Sequence, residues 1–141
     1  MTQPDRGHGG LARWAVVLLL VGHGLIHLLG PIEIWGVADI AELDGQPSIS
    51  LGSSATDIVA GVWLILTVLF VAAGVGVTVR RWWWRMLAVI GVIISQVVIV
   101  IWWDDAATGT IPNLLVLAAI VFADRLGLQF RHPEPHGQIP G

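Results

Sequence analysis

The chain of 141 residues contains no cysteine, no tyrosine and no lysine, and only 12% of it is charged. Without cysteine there can be no disulfide, thiolate zinc site, iron–sulfur cluster or thiol redox chemistry. Without lysine the basic charge rests on arginine alone. Seven arginines do not line a groove, so nucleic acid is excluded as a partner. What fills the chain instead is apolar: 55% of the residues are hydrophobic, a content far above that of soluble domains.

Those apolar residues fall into four runs, and the arginines sort around them. The runs lie near 11–30, 58–79, 83–103 and 111–128, the last being apolar as far as Ala123 and then continuing through Arg125. Arg6 and Arg13 precede or open the first run, Arg80, Arg81 and Arg85 join the second to the third, and Arg125 and Arg131 follow or end the fourth. The segments 31–57 and 104–110 hold Glu33, Asp39, Glu42, Asp44, Asp57, Asp104 and Asp105 and no arginine. A spanning helix needs about 20 apolar residues, and basic residues collect on the cytoplasmic side. The expectation is therefore an all-α transmembrane bundle of four antiparallel helices in a bacterial plasma membrane, both termini cytoplasmic. The first run has no small-residue cleavage site after it, so it reads as a retained anchor rather than a signal peptide.

Within this single domain, residues 1–10 read as a disordered N-terminus, 11–128 as the membrane domain with an outer loop at 31–57, and 129–141 as a loose cytoplasmic tail with three prolines. The run Glu33–Leu43 has helical spacing and suggests a short amphipathic helix on the outer interface. Thr56 or Asp57 is a candidate cap for the second helix, and Thr110 for the fourth, with Pro112 in its first turn. Trp14, Trp82, Trp83 and Trp84 on one side and Trp35, Trp102 and Trp103 on the other suggest two interfacial belts. Only Trp63 lies well inside a run.

The residues that call for chemistry are few. His23 and His27 are four apart, on one face of the first helix. From Trp14 they rise about 14 and about 20 Å, which puts ionisable groups at membrane depth, facing the bundle interior. Gln96 and Thr67 reach a similar height, about 18 Å above Trp84 and about 20 Å above Arg80. One reading is a polar layer of His27, Ser95, Gln96 and Thr67 that only fixes packing. A second is a ligand or metal site, since two imidazoles one turn apart can face one ion; a third ligand would come from Glu33, Asp57, Asp104 or Asp105. A third is proton handling. Asp104 and Asp105 follow a helix C-terminus, where they oppose its dipole unless they face the start of the next helix. Asp104, Asp105 and Asn113 are expected over the outer end, joined to His27 by a pocket rimmed by Trp35, Trp102 and Trp103.

Two stretches carry a resemblance. His23-Gly24-Leu25-Ile26-His27-Leu28-Leu29-Gly30 matches H-G-x-I-H-x-x-G, and Ser95-Gln96 followed by Trp103–Asn113 matches S-Q…W-x-D-A-x-x-G-T-I-x-N. Together they resemble the signatures of a bacterial family of small four-helix membrane proteins. The likeness covers roughly 12–121, and a looser likeness to DoxX-type proteins rests on topology. It implies an architecture and a residue set, His23, His27, Gln96, Asp104, Gly109 and Asn113, rather than an activity. Relatives carry Lys-Ala-Phe after the first helix, where this chain has Glu33-Ile34-Trp35.

Three functions remain in view. The first is a non-catalytic membrane subunit binding a small lipid-soluble ligand or a membrane partner, with a homo-oligomer as one form of partner. The second is a metal- or cofactor-dependent enzyme using His23 and His27, although no motif requires a cofactor and a haem between opposed histidines would need a second chain. The third is a small oligomeric transporter, which the lack of a carboxylate deep in the first three runs disfavours.

Overall fold

The computed structural model describes residues 6–38, 48 and 52–128. Within them the chain is all helical: α1 Arg6–Ile26, α2 Leu29–Ile34, α3 Ser53–Thr78, α4 Trp84–Ile101, α5 Trp103–Ala106, a 3-10 turn at Ala107–Gly109, and α6 Thr110–Val121. Four stretches are long and apolar enough to cross a membrane: Gly9–Ile34, Ser53–Thr78, Trp84–Ile101 and Trp103–Val121. Their outer surface is apolar. Leu18, Val68, Ile93 and Leu114 are each at least 60% exposed, the reverse of a soluble fold and the pattern a lipid solvent requires.

Contacts run in opposite senses along neighbouring helices. Gly74 lies against Val17 and Val21, Gly24 against Thr67 and Phe70, and Gly30 against Trp63. Gly76 meets Trp84, and Gly91 faces the Phe70 ring. On α6, Asn113 reaches Ser95 while Asp124 pairs with Arg85. One end of the bundle thus gathers Arg85, Asp124 and Arg125, and the other Glu33, Asp104 and Asp105.

The first span is broken, and proline supplies the cause. Pro31 has no N–H for the carbonyl of His27. His27 and Leu28 instead bond to Gly24 and Leu25 in tighter turns of 3.2 and 3.0 Å before α2 resumes. Gly36 then ends α2 at φ 61°, with the Val37 N–H on the Ile32 carbonyl at 2.9 Å. That left-handed cap stops the interfacial helix expected from Glu33 onward; its remainder, from Asp39, lies outside the described residues. At the other end α1 starts at Arg6, ahead of the apolar run, where residues to Gly10 were expected to be disordered. Gly9 packs close to Gly127 across the bundle, which gives this extra turn a neighbour. The segment 129–141 lies outside the described residues.

Three further boundaries differ from expectation. α3 begins at Ser53 behind Gly52, so Thr56 and Asp57 are inside the helix and not its cap. The segment 103–109 is helical rather than a loop, because Trp102 buries its ring and turns the chain back at once. α6 is only 12 residues and ends at Val121. Turns carry the chain on to Gly127 at φ 70°, with Arg125 over the Phe122 ring at 5.5 Å.

The α3–α4 turn holds Arg80 at φ 54°, the left-handed region, with the Arg81 N–H on the Gly76 carbonyl at 2.9 Å. An L-residue there costs about 1–2 kcal/mol, and glycine adds back about 0.5–1 kcal/mol of unfolded-chain entropy. Arg80→Gly should therefore stabilise by about 0.5–1 kcal/mol, read as a rise in thermal midpoint in detergent. A fall would mean that the Arg80 side chain anchors more than its backbone loses.

Candidate functional site

α1 presents His23 and the turn just past its end presents His27 to the bundle interior, 3% and 8% exposed, and three other helices complete their surroundings. The two rings lie 4.8 Å apart, centre to centre. Phe70 of α3 is shared between them, edge-on to His23 at 4.6 Å and stacked on His27 at 5.6 Å. From α6, the Asn113 carbonyl oxygen takes the His23 Nε2 at 2.8 Å. From α4, the Ser95 hydroxyl meets the His27 Nε2 at 3.2 Å. The Asn113 amide donates to Ser95 Oγ at 3.2 Å and to Gln96 Oε1 at 3.1 Å, and Gln96 donates to Thr110 Oγ1 at 3.2 Å. One hydrogen-bonded chain thus joins α1, α4 and α6.

This places the expected residues unevenly. His23, His27, Gln96 and Asn113 share one network, together with Ser95. Asn113 lies far deeper than expected: α5 and the 3-10 turn already occupy the end of the bundle, so α6 starts level with Gln96. Thr110, expected as a cap, is the first residue of α6 and receives Gln96. Thr67 stays out of the layer, donating to the Trp63 carbonyl of its own helix at 3.2 Å. Asp104 is elsewhere too: Ser48 of the long loop donates to its Oδ2 at 2.7 Å, and the Asp104 N–H returns to Ser48 Oγ at 3.1 Å. Both acids occupy the first turn of α5, where a carboxylate complements the helix end.

A cavity of about 110 Å³ lies above the histidines. Its walls include His23, His27, Glu33, Trp63, Trp102 and Asp105. Neither Asp104 nor Asn113 lines it, nor do Trp35 and Trp103. Trp102 was expected in an interfacial belt; it is fully buried, its ring 5.4 Å from that of Trp63. Trp84 is buried as well, under Gly76, whereas Trp14, Trp35, Trp82 and Trp103 stay about half exposed, as belt residues would. Ile26 and Leu29 also line the cavity and are 58% and 41% exposed on the perimeter. Thr108 and Gly109 line it as well.

Sequence reasoning missed Phe70 and the wall of Ile99 and Ala106. Phe70 stands one turn along α3 from Thr67, so depth alone could have found it had aromatic residues been matched with the histidines. A metal held by His23 and His27 would need both imidazoles released from Asn113 and Ser95 or bound through Nδ1. Among the described residues no three His, Cys, Asp or Glu side chains gather around one point. Comparison of the chain with family models, curated proteins and solved structures finds no match in any of the three.

Proposed function

We propose that this chain is a multi-pass protein of a bacterial plasma membrane, both termini cytoplasmic, that binds a small lipid-soluble ligand and does no chemistry on it. The observation that carries this reading is the cavity over His23 and His27, whose lining includes Ile26 and Leu29, both exposed on the perimeter of the bundle. Drug-sized ligands need cavities of roughly 300–1,000 Å³. A volume of about 110 Å³ suits a head group and a few carbons, with an apolar tail left in the bilayer. The hydrogen-bonded floor suits binding more than catalysis, since both Nε2 atoms are already committed. The orientation rests on the arginine distribution. Membership of the bacterial four-helix family is part of the proposal: the motif residues His23, His27, Gln96 and Asn113 meet in one network.

Filling the mouth tests the reading. Ala106→Trp lies on the cavity wall, away from the His23–Asn113 network. Native mass spectrometry of the wild-type protein, extracted with its own lipids, should show a retained small molecule that the variant loses at unchanged thermal stability. Equal retention by both, or none by the wild type, would overturn the proposal. Reporter fusions after Gly45 and Gly141 should read outside and inside respectively; an inside signal at Gly45 would reverse the topology.

A further inference from the structure

The arginine end of the bundle holds a second opening, away from the cavity of the histidines. α6 stops at Val121, and the chain goes on in turns from Phe122 to Gly127 rather than as a helix laid along α1. These turns approach α1 closely where glycine meets glycine: a Cβ on Gly127 would lie 3.6 Å from Gly9 Cα. Beside that contact the gap stays open as a groove of about 570 Å³. Ala12 and Ala15 of α1 give it a low wall, and Leu11 and Leu126 add branched apolar carbon. Trp14, half exposed in the same turn of α1, marks the level at which a bilayer passes from acyl chain to head group.

Among the described residues one charge lines the groove, and it is positive: Arg125, which is exposed. Its guanidinium carbon lies over the Phe122 ring, 5.5 Å from the ring centre. A guanidinium held over a ring keeps its edge N–H groups for a phosphate. The neighbouring Asp124 is taken by Arg85 at 2.8 Å, and among the described residues no carboxylate pairs with Arg125. Arg13, next to Ala12 in the chain, adds to the positive field of this end.

We infer that this groove seats an anionic phospholipid, its phosphate on Arg125 and an acyl chain along Leu11, Ala15 and Leu126. The inference is independent of what the cavity over the histidines binds. The groove falls within the range of ligand sites, roughly 300–1,000 Å³. Charge decides the class of lipid. Phosphatidylethanolamine brings the same phosphate together with an ammonium, which would meet arginine and no acid among the described lining residues. A lipid of net negative charge escapes that repulsion and is drawn to basic residues at the membrane surface.

Native mass spectrometry of the full chain, titrated in one detergent with phosphatidylglycerol or phosphatidylethanolamine, tests the site. The wild type should take one phosphatidylglycerol about tenfold more tightly than phosphatidylethanolamine, as about one charge-assisted hydrogen bond would give. Arg125→Gln should lose that preference. Arg81→Gln, which changes an exposed arginine at the same end but outside the groove, should keep it. Ala15→Phe fills the groove and leaves Arg125 in place, so it should weaken both lipids, and it serves as the test if the arginine variant does not fold. Equal loss of preference in Arg81→Gln and Arg125→Gln would show a diffuse field instead of a site and overturn the inference. Equal affinity of the wild type for the two lipids would do the same. So would a dimer of the chain, abolished by Ala15→Phe, in place of a lipid adduct, since a second copy would then be the occupant.

Discussion

Gly30→Ala should leave little folded protein in the membrane. A methyl group at Gly30 would sit 1.2 Å from an edge carbon of the Trp63 ring, well inside van der Waals contact. The ring cannot retreat easily, because Trp102 backs it at 5.4 Å and both are buried. Small-to-large changes in a packed core cost about 1–3 kcal/mol when side chains can shift, and more when they cannot. An overlap of this depth against two tryptophans belongs to the second class, so α2 must lift away from α3. The expected readout is a loss of monodisperse protein on size exclusion and a fall of more than about 3 kcal/mol in stability. Trp63→Leu in the same chain should restore folding, because it removes the ring that the methyl meets. Wild-type behaviour of Gly30→Ala alone would show that the α2–α3 contact is looser than described.

Asn113→Asp should be more damaging than Asn113→Ala, although it changes one atom. The alanine variant forfeits three hydrogen bonds, and interhelical bonds in membranes average about 0.6 kcal/mol and reach about 1.7. A loss of about 2–3 kcal/mol follows, softened if water enters. The aspartate variant keeps the acceptor for His23 but turns the donor side toward Gln96 Oε1 as a second acceptor, 3.1 Å away. It also brings a negative charge into a site that is 1% exposed. An unpaired buried charge costs several kcal/mol beyond the lost bonds. Thermal midpoints in one detergent should rank wild type, then alanine, then aspartate. If aspartate equalled wild type, Asn113 would be serving His23 alone.

The helical class was legible because it depends on composition along the chain. Apolar runs of about 20 residues have one low-energy form in lipid, a helix that satisfies its own backbone. The height of a residue was legible too. Counting about 1.5 Å per residue placed His27 level with Ser95 and Gln96, and the structure brings His27 and Ser95 together. The break at Pro31 and the stop at Gly36 follow from backbone chemistry written in those two residues, although helical spacing alone had suggested continuing through the second.

Counting did not give the angle around each helix axis or the true start of α6. Asn113 was expected at the outer end because 104–110 was taken as loop. It sits beside His23 because that segment coils into α5 and a 3-10 turn, which lowers α6 into the bundle by a full layer. Trp102 and Trp103 are neighbours with the same composition signal, yet one is fully buried and the other half exposed. Adjacent helical positions differ by about 100°, so a small rotation decides which ring enters the core. The chain by itself determined how many spans there are and how deep His27, Ser95 and Gln96 lie, since both follow from bilayer thickness and helical rise. Only the packing of α2 on α3 and of α6 on α4 decided which of those residues touch, and so which of them line the cavity.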